Sequence, residues 1–287
     1  MMRRLGAISA VLAAALLLAG CMLLPGKFTS DLALRKDGTF SFAYKGEIYL
    51  VALSKMAADK RGKEPSDAVF APTPCYADPS GDERECSKNE IADQQATWAE
   101  EQASAKAAAT DKQKSEEAMM KSMLGGIDPS DPRAAQEFAE RLRRQHGWKS
   151  VIDKGDGRFE VEYAIAGKLD HDFTFPMIEK FPIATPFVTL IRRTDGTVRV
   201  EAPAFTSGAT ASPFMAMAAA AGDSAGKKAG ANGIPTLDGA LTLVTDGEIL
   251  ANNTDEGPAP TATGKTLVWK VNARTATPPT ALVRTAP

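Results

Sequence analysis

Any chemistry in this chain must come from few groups, since 287 residues include only two histidines and three cysteines. The sharpest cluster is Asp170-His171-Asp172. A histidine between carboxylates has the donor set of a metal ligand or a general base. Neighbours along a strand point to opposite faces, however, so the three cannot readily converge. The simpler reading is a polar strand end ahead of Phe173 and Phe175. His146 falls at the end of a helix closing at Gly147, where a cation complements the helix dipole. Met119, Met120 and Met123 offer the soft sulfur that copper takes, but methionines at helical spacing more often pack. There is no His-Glu-x-x-His and no P-loop. An enzyme built here would depend on carboxylates alone. The expectation is a protein that is not an enzyme, with no catalytic residue, no metal and no cofactor.

The strongest signal lies at the amino terminus. Met1-Met2-Arg3-Arg4 is a short basic region, followed by an apolar run with Ile8, Val11, Leu12, Leu16, Leu17 and Leu18 among alanines. This is the charge–apolar–small pattern of a secretory signal, too short to span a bilayer, which needs ~20 apolar residues. Leu18-Ala19-Gly20-Cys21 resembles the lipobox of bacterial lipoproteins. The resemblance implies cleavage of residues 1–20, a diacylglyceryl group (typically palmitate-bearing) on Cys21, and a protein held at a membrane. Two or three acyl chains hold durably where one holds only marginally, because each buried methylene contributes about 0.8 kcal/mol. Met22 follows the lipidated residue, where inner-membrane lipoproteins usually carry Asp. In an organism with two membranes, that resemblance implies the outer membrane, facing the periplasm.

Export leaves Cys75 and Cys86 as an unmodified pair in an oxidising compartment, and such a pair usually forms a disulfide. The ten residues between them are polar and turn-rich, as a surface loop requires. Closing that loop contributes roughly 2.8 kcal/mol by chain entropy. A two-cysteine metal site is the alternative, with neither histidine nearby. The net charge of −2 shows no basic footprint for nucleic acid.

The elements that must position these groups are mainly strands. Phe28, Leu32 and Leu34 share one parity, Asp37-Gly38 supplies a turn, and Phe40, Phe42, Tyr44, Ile48 and Leu50 alternate with polar or small residues. That is a β-hairpin over Gly26–Val51. Ser87-Lys88-Asn89-Glu90 has capping-box spacing and opens a long helix to Leu124, stopped by Gly125-Gly126. Its apolar face is poor: Ile91, Trp98 and Ala105 repeat every seven residues, then the pattern fades. A second helix starts at Asp131 with Pro132 in its first turn, and buries Phe138 and Leu142. Strands resume with Phe159, Val161, Tyr163 and Ile165. Phe187–Arg192 and Thr197–Glu201 flank Asp195-Gly196, and Leu241–Thr245 and Glu248–Ala251 flank Asp246-Gly247. Leu267, Trp269 and Val271 form one face of a last strand. Asp-Gly begins at 37, 156, 195, 238 and 246, each time beside a strand-like run.

The fold expected is α+β, a mainly antiparallel β-sheet of about six to eight strands with a helical insertion. It would form a single domain over 21–275, with the insertion at about 87–146 and a mobile, Ala/Gly/Ser-rich loop at about 207–235. Residues 276–287, rich in Pro, Thr and Ala, read as a disordered tail.

Gly26-Lys27-Phe28-Thr29-Ser30-Asp31-Leu32 after the cysteine, then Lys36-Asp37-Gly38-Thr39-Phe40, resembles the opening of LppM-like envelope lipoproteins. The closing Leu241-Thr242-Leu243, Asp246-Gly247-Glu248-Ile249, Asn252-Asn253 and Leu267-Val268-Trp269 resembles that family's final hairpin. The resemblance implies an α+β envelope domain that binds lipids or glycolipids. It departs from the family in lacking a carboxyl-terminal membrane helix and in carrying residues 52–146.

Three readings follow. The first is a binding module whose aromatic sheet face (Phe40, Phe42, Tyr44, Phe159, Tyr163 and Trp269) receives an amphiphile. The second is a structural or interaction protein whose long polar helix contacts an envelope partner. The third is an enzyme without a recognisable motif. An apolar cavity at the aromatics supports the first; a close-packed core there removes its support.

Overall fold

The computed structural model describes residues 23–50, 53, 70–77, 81–179, 181, 185–206 and 236–285. Cys21 and the loop expected at 207–235 lie outside the described residues. The chain divides into two compact units where one domain was expected: Met1–Lys60 with Met120–Pro287, and Arg61–Met119.

The first unit is built on the predicted hairpin. Strands β1 (Leu23–Leu34) and β2 (Thr39–Leu50) pair antiparallel, with Leu34 opposite Phe40 and Leu23 opposite Leu50. The turn works as its sequence implies: Gly38 takes φ 78°, and the Asp37 carboxylate accepts from the Thr39 amide at 2.9 Å and hydroxyl at 2.7 Å. Those bonds hold the Asp37 carboxyl below its usual range. Beside β2 run β6 (Arg158–Lys168) and then β5 (Trp148–Asp153), joined through Asp156-Gly157. On the other side of β1 lie β10 (Asp238–Thr245), β13 (Gly264–Asn272) and β12 (Ala259–Thr261), giving the order β12-β13-β10-β1-β2-β6-β5.

A second sheet in the same unit contains β7 (Phe173–Phe175), β8 (Val188–Arg192), β9 (Thr197–Glu201), β11 (Glu248–Asn252) and β14 (Thr280–Arg284), ordered β11-β14-β9-β8-β7. The α+β expectation of one sheet with a helical insertion is therefore corrected. The described chain is mostly strand, in a seven-stranded sheet, a five-stranded sheet and a two-stranded ribbon, with two helices. The physical reason is burial. One sheet cannot cover its own apolar face, and here most of the covering layer is a second sheet, while only one short helix has an apolar stripe.

Three local expectations change with it. Leu241–Thr245 and Glu248–Ala251 are not a hairpin. The chain crosses between the sheets at Asp246-Gly247, where a Cβ on Gly247 would meet the Arg284 carbonyl and the Val283 side chain. Asp238-Gly239 is not a turn but the start of β10, which runs parallel to β1. Gly239 is needed there because Phe28 packs where a Cβ would stand. The disordered tail expected at 276–287 contains β14, which sits between β11 and β9, with Ala281 and Val283 buried. A short Thr-Ala-Leu-Val-Arg run shows little pattern alone, but two neighbouring strands satisfy its backbone.

The second unit holds the ribbon of β3 (Cys75–Tyr76) and β4 (Glu83–Arg84), closed by the Cys75–Cys86 disulfide. Gln94 ties it to helix α1 (Lys88–Met123), donating to the Thr73 carbonyl and accepting from the Thr73 amide. The capping box forms: the Glu90 amide donates to Ser87 Oγ, and the Ser87 amide donates to the Glu90 carboxylate at 2.8 Å. Helix α1 is continuous over 36 residues, and none of its described side chains is buried.

Helix α2 (Ala134–Arg143) belongs to the first unit and starts later than expected, with Asp131–Arg133 forming a turn ahead of it. It buries Ala134, Phe138, Ala139 and Leu142. His146 lies three residues past its end and is exposed.

Candidate functional site

The two faces of the seven-stranded sheet differ in what they carry. On the inner face stand the six aromatics expected to receive a ligand: five of them meet rings of the second sheet or of α2, while Trp269 borders a polar surface groove of about 340 Å³ with Asn253, Asp255 and Lys270. Phe42, Tyr44 and Phe159 are essentially inaccessible, and Phe40, Tyr163 and Trp269 are also buried. Phe40 packs on Phe173 at 5.2 Å between ring centres, and Phe159 on Phe138 of α2 at 5.1 Å. Phe175, from the second sheet, sits 5.1 Å from Phe42, 5.1 Å from Tyr44 and 4.7 Å from Tyr163. Tyr44 also meets Phe187 at 5.8 Å. These rings are the contact between sheets. The ligand-facing role expected for Phe40, Phe42, Tyr44, Phe159 and Tyr163 is corrected: apolar rings from the second layer and from α2 occupy the space a ligand would need, and Trp269, the sixth, is buried with its indole N–H held by Asn253.

Two of the buried rings have polar tips satisfied internally. Tyr44 Oη donates to the Glu47 carbonyl at 2.9 Å, and burial pushes its ionisation well above the ordinary tyrosine range. Trp269 Nε1 donates to Asn253 Oδ1 at 2.8 Å, and the same oxygen accepts from the Thr280 amide at 2.9 Å. Asn253 Nδ2 in turn donates to the Pro278 carbonyl at 2.8 Å. One amide side chain thus joins β13 of the large sheet to the start of β14 in the second.

The outer face carries small residues at its centre. Ala33 lies opposite Ser41 and Ser41 opposite Ala166; Asp31 lies opposite Ala43 and Ala43 opposite Ala164. Val244 and Thr242 of β10 continue the two rows on the far side of β1. Alanine is depleted in strands because it packs little on a pleated surface, yet here alanines occupy adjacent positions on three neighbouring strands. They floor an open recess of about 440 Å³, also lined by Asp31, Thr242, Val244 and Lys149. Lys149 stands at the irregularity between Trp148 and Ser150, where a bulge re-aims a side chain. Towards the start of β1 the same face becomes charged and ion-paired: Lys45 with Glu162 at 2.5 Å, Lys154 with Glu160 at 2.8 Å, and Arg158 with Glu47 at 3.4 Å. The recess was missed in the sequence because its signal is the absence of bulk at outward positions. The alternation marked those positions only as the side away from the core.

Asp170, His171 and Asp172 do not converge. Asp170 contacts His171 Nδ1, which lowers the Asp170 carboxyl, whereas Asp172 accepts from the Arg192 amide at 2.9 Å. Among the described residues no group of three His, Cys, Asp or Glu side chains could hold a metal. The side chains of Met119, Met120 and Met123 lie outside the described set. No described helix is long and apolar enough to cross a membrane.

No protein-family model matches the chain, and no curated protein sequence matches it. Among solved structures, the chain is similar to the folded domain of LppM from Mycobacterium tuberculosis, determined by NMR. The identity is 12%, 93% of each chain is covered, and the TM-score is 0.28. Backbones that superpose this loosely lend no support to a shared fold or function.

Proposed function

We propose that this chain is a lipid-anchored envelope protein whose task is recognition without catalysis, and that it takes the apolar part of an anionic amphiphile in the outer-face recess. The observation that carries the site is the recess itself. Its volume falls within the 300–1,000 Å³ typical of small-molecule pockets, its floor is mostly apolar, and Lys149 places a cation at its wall. The anchor rests on Leu18-Ala19-Gly20-Cys21 and the signal before it. In a two-membrane organism Met22 sends the protein to the outer membrane, facing the periplasm.

The recess is tested by titrating purified protein with a fluorescent anionic fatty acid. Binding is expected in the wild type, weaker binding in Lys149→Glu, and none in Ala164→Glu, with all three equally folded by circular dichroism. Equal binding by the three removes the site. The anchor is tested separately: Cys21→Ser should leave the membrane fraction or remain uncut, and wild-type fractionation of that variant overturns it.

A second reading has its own observation. A helix of 36 residues with no buried described side chain gains nothing from core packing, and a helix polar on all sides serves to bridge to other bodies. Cross-linking from α1 to one envelope protein, lost when the helix is shortened, would support it.

A further inference from the structure

The spacing between anchor and fold sets which end of the first unit meets the membrane. One residue, Met22, separates Cys21 from the first residue of β1, Leu23. A chain reaches at most ~3.6 Å per residue, so the Leu23 backbone lies within roughly 7 Å of the lipidated residue. Leu23 pairs with Leu50, and the Leu50 amide donates to the Gly157 carbonyl. The Lys154–Gly157 turn therefore shares this end of the sheet.

From there β1 runs away for its full length. At ~3.3 Å per residue, the end of β1 at Leu34 lies roughly 36 Å from Leu23, and the recess at Asp31 and Ala33 roughly 26–33 Å from it. The face between anchor and recess carries the three ion pairs Lys45–Glu162, Lys154–Glu160 and Arg158–Glu47. Laying it on hydrocarbon would strip water from six charges, a cost that pairing only partly offsets.

We infer that the first unit stands end-on, with the Leu23 end and the Lys154–Gly157 turn against the lipid headgroups, and that the recess opens beyond the bilayer. The headgroup layer is roughly 5–7 Å deep on each side, so a chain seated in the recess has left the membrane completely. The ligand class narrows accordingly to an amphiphile met as a monomer or handed over by a carrier, not one still embedded. This inference rests on the lipid anchor proposed above.

The experiment uses full-length lipidated protein in phosphatidylcholine/phosphatidylglycerol vesicles carrying a headgroup-labelled acceptor lipid. A donor dye is placed at Lys154→Cys in one sample and at Lys36→Cys in another; both positions are exposed. Transfer should be several-fold stronger from position 154. Inserting a Gly/Ser spacer of about 20 residues after Met22, with an r.m.s. reach of roughly 25 Å, should erase the contrast. Equal or reversed transfer in protein that is lipidated by mass and bound to vesicles overturns the orientation and leaves the anchor standing. Protein without lipid on Cys21, or absent from the vesicles, overturns both.

Discussion

The two faces of the seven-stranded sheet come from the same strands, yet they were built for different ends. The inner face presents Phe40, Phe42, Tyr44, Phe159 and Tyr163, and rings from the second sheet and α2 fill the space above them. The outer face presents Ala33, Ala43, Ala164 and Ala166, and leaves an open recess. The difference teaches that aromatic content does not locate a ligand site. Large rings at a layer contact serve cohesion, because burying each contributes roughly 1.5–3 kcal/mol. Small residues at exposed positions forgo that contribution and leave space instead.

The comparison breaks most visibly at Phe175, which is fully buried against Phe42, Tyr44 and Tyr163. Phe175→Ala should cost about 3–5 kcal/mol in denaturant unfolding. A loss under about 1 kcal/mol would mean that the inner face is loosely packed and could admit a ligand after all.

Next comes the link between the sheets. Asn253→Ala removes the acceptor shared by Trp269 Nε1 and the Thr280 amide, and should cost about 1–3 kcal/mol. Asn253→Asp retains an acceptor oxygen and should cost less. Equal losses in both variants would show that the amide's donation to Pro278 carries the effect.

The outer face should respond differently. Ala164→Glu is expected to shift stability by no more than about 0.5 kcal/mol while abolishing amphiphile binding. If it unfolds the protein as Phe175→Ala does, something covers that face and the contrast between faces is false.

The smallest effect concerns the second unit. Glu90 is held near pKa about 2 by the Arg84 guanidinium and the Ser87 capping bonds, against an ordinary 4.5. A lowered carboxyl stabilises the charged form. Its contribution is complete above 4.5 and is lost as pH falls towards about 2. Amide exchange at the start of α1 should quicken over that window, with the strands of the first unit unaffected. Parallel quickening in β1 and β2 would show that the two units open together.

Local chemistry was legible without a structure. Asp37-Gly38 between alternating runs specifies a hairpin, since few residues accept the turn's φ > 0. Ser87 and Glu90 specify a helix start by satisfying each other's amides, and the Cys75–Cys86 pairing follows from the signal before Cys21. Each of these signals is contained in one short stretch of chain. What the sequence did not disclose depends on segments far apart. The crossing at Asp246-Gly247 reads as a hairpin until the Arg284 backbone is seen against Gly247. Residues 280–284 read as a tail until β9 and β11 flank them. The inner aromatics read as a ligand face until Phe175 and Phe187 arrive from the other sheet. Alternation tells which side chains share a face, but whether that face meets water, a ligand or another layer is decided by what the rest of the chain packs against it.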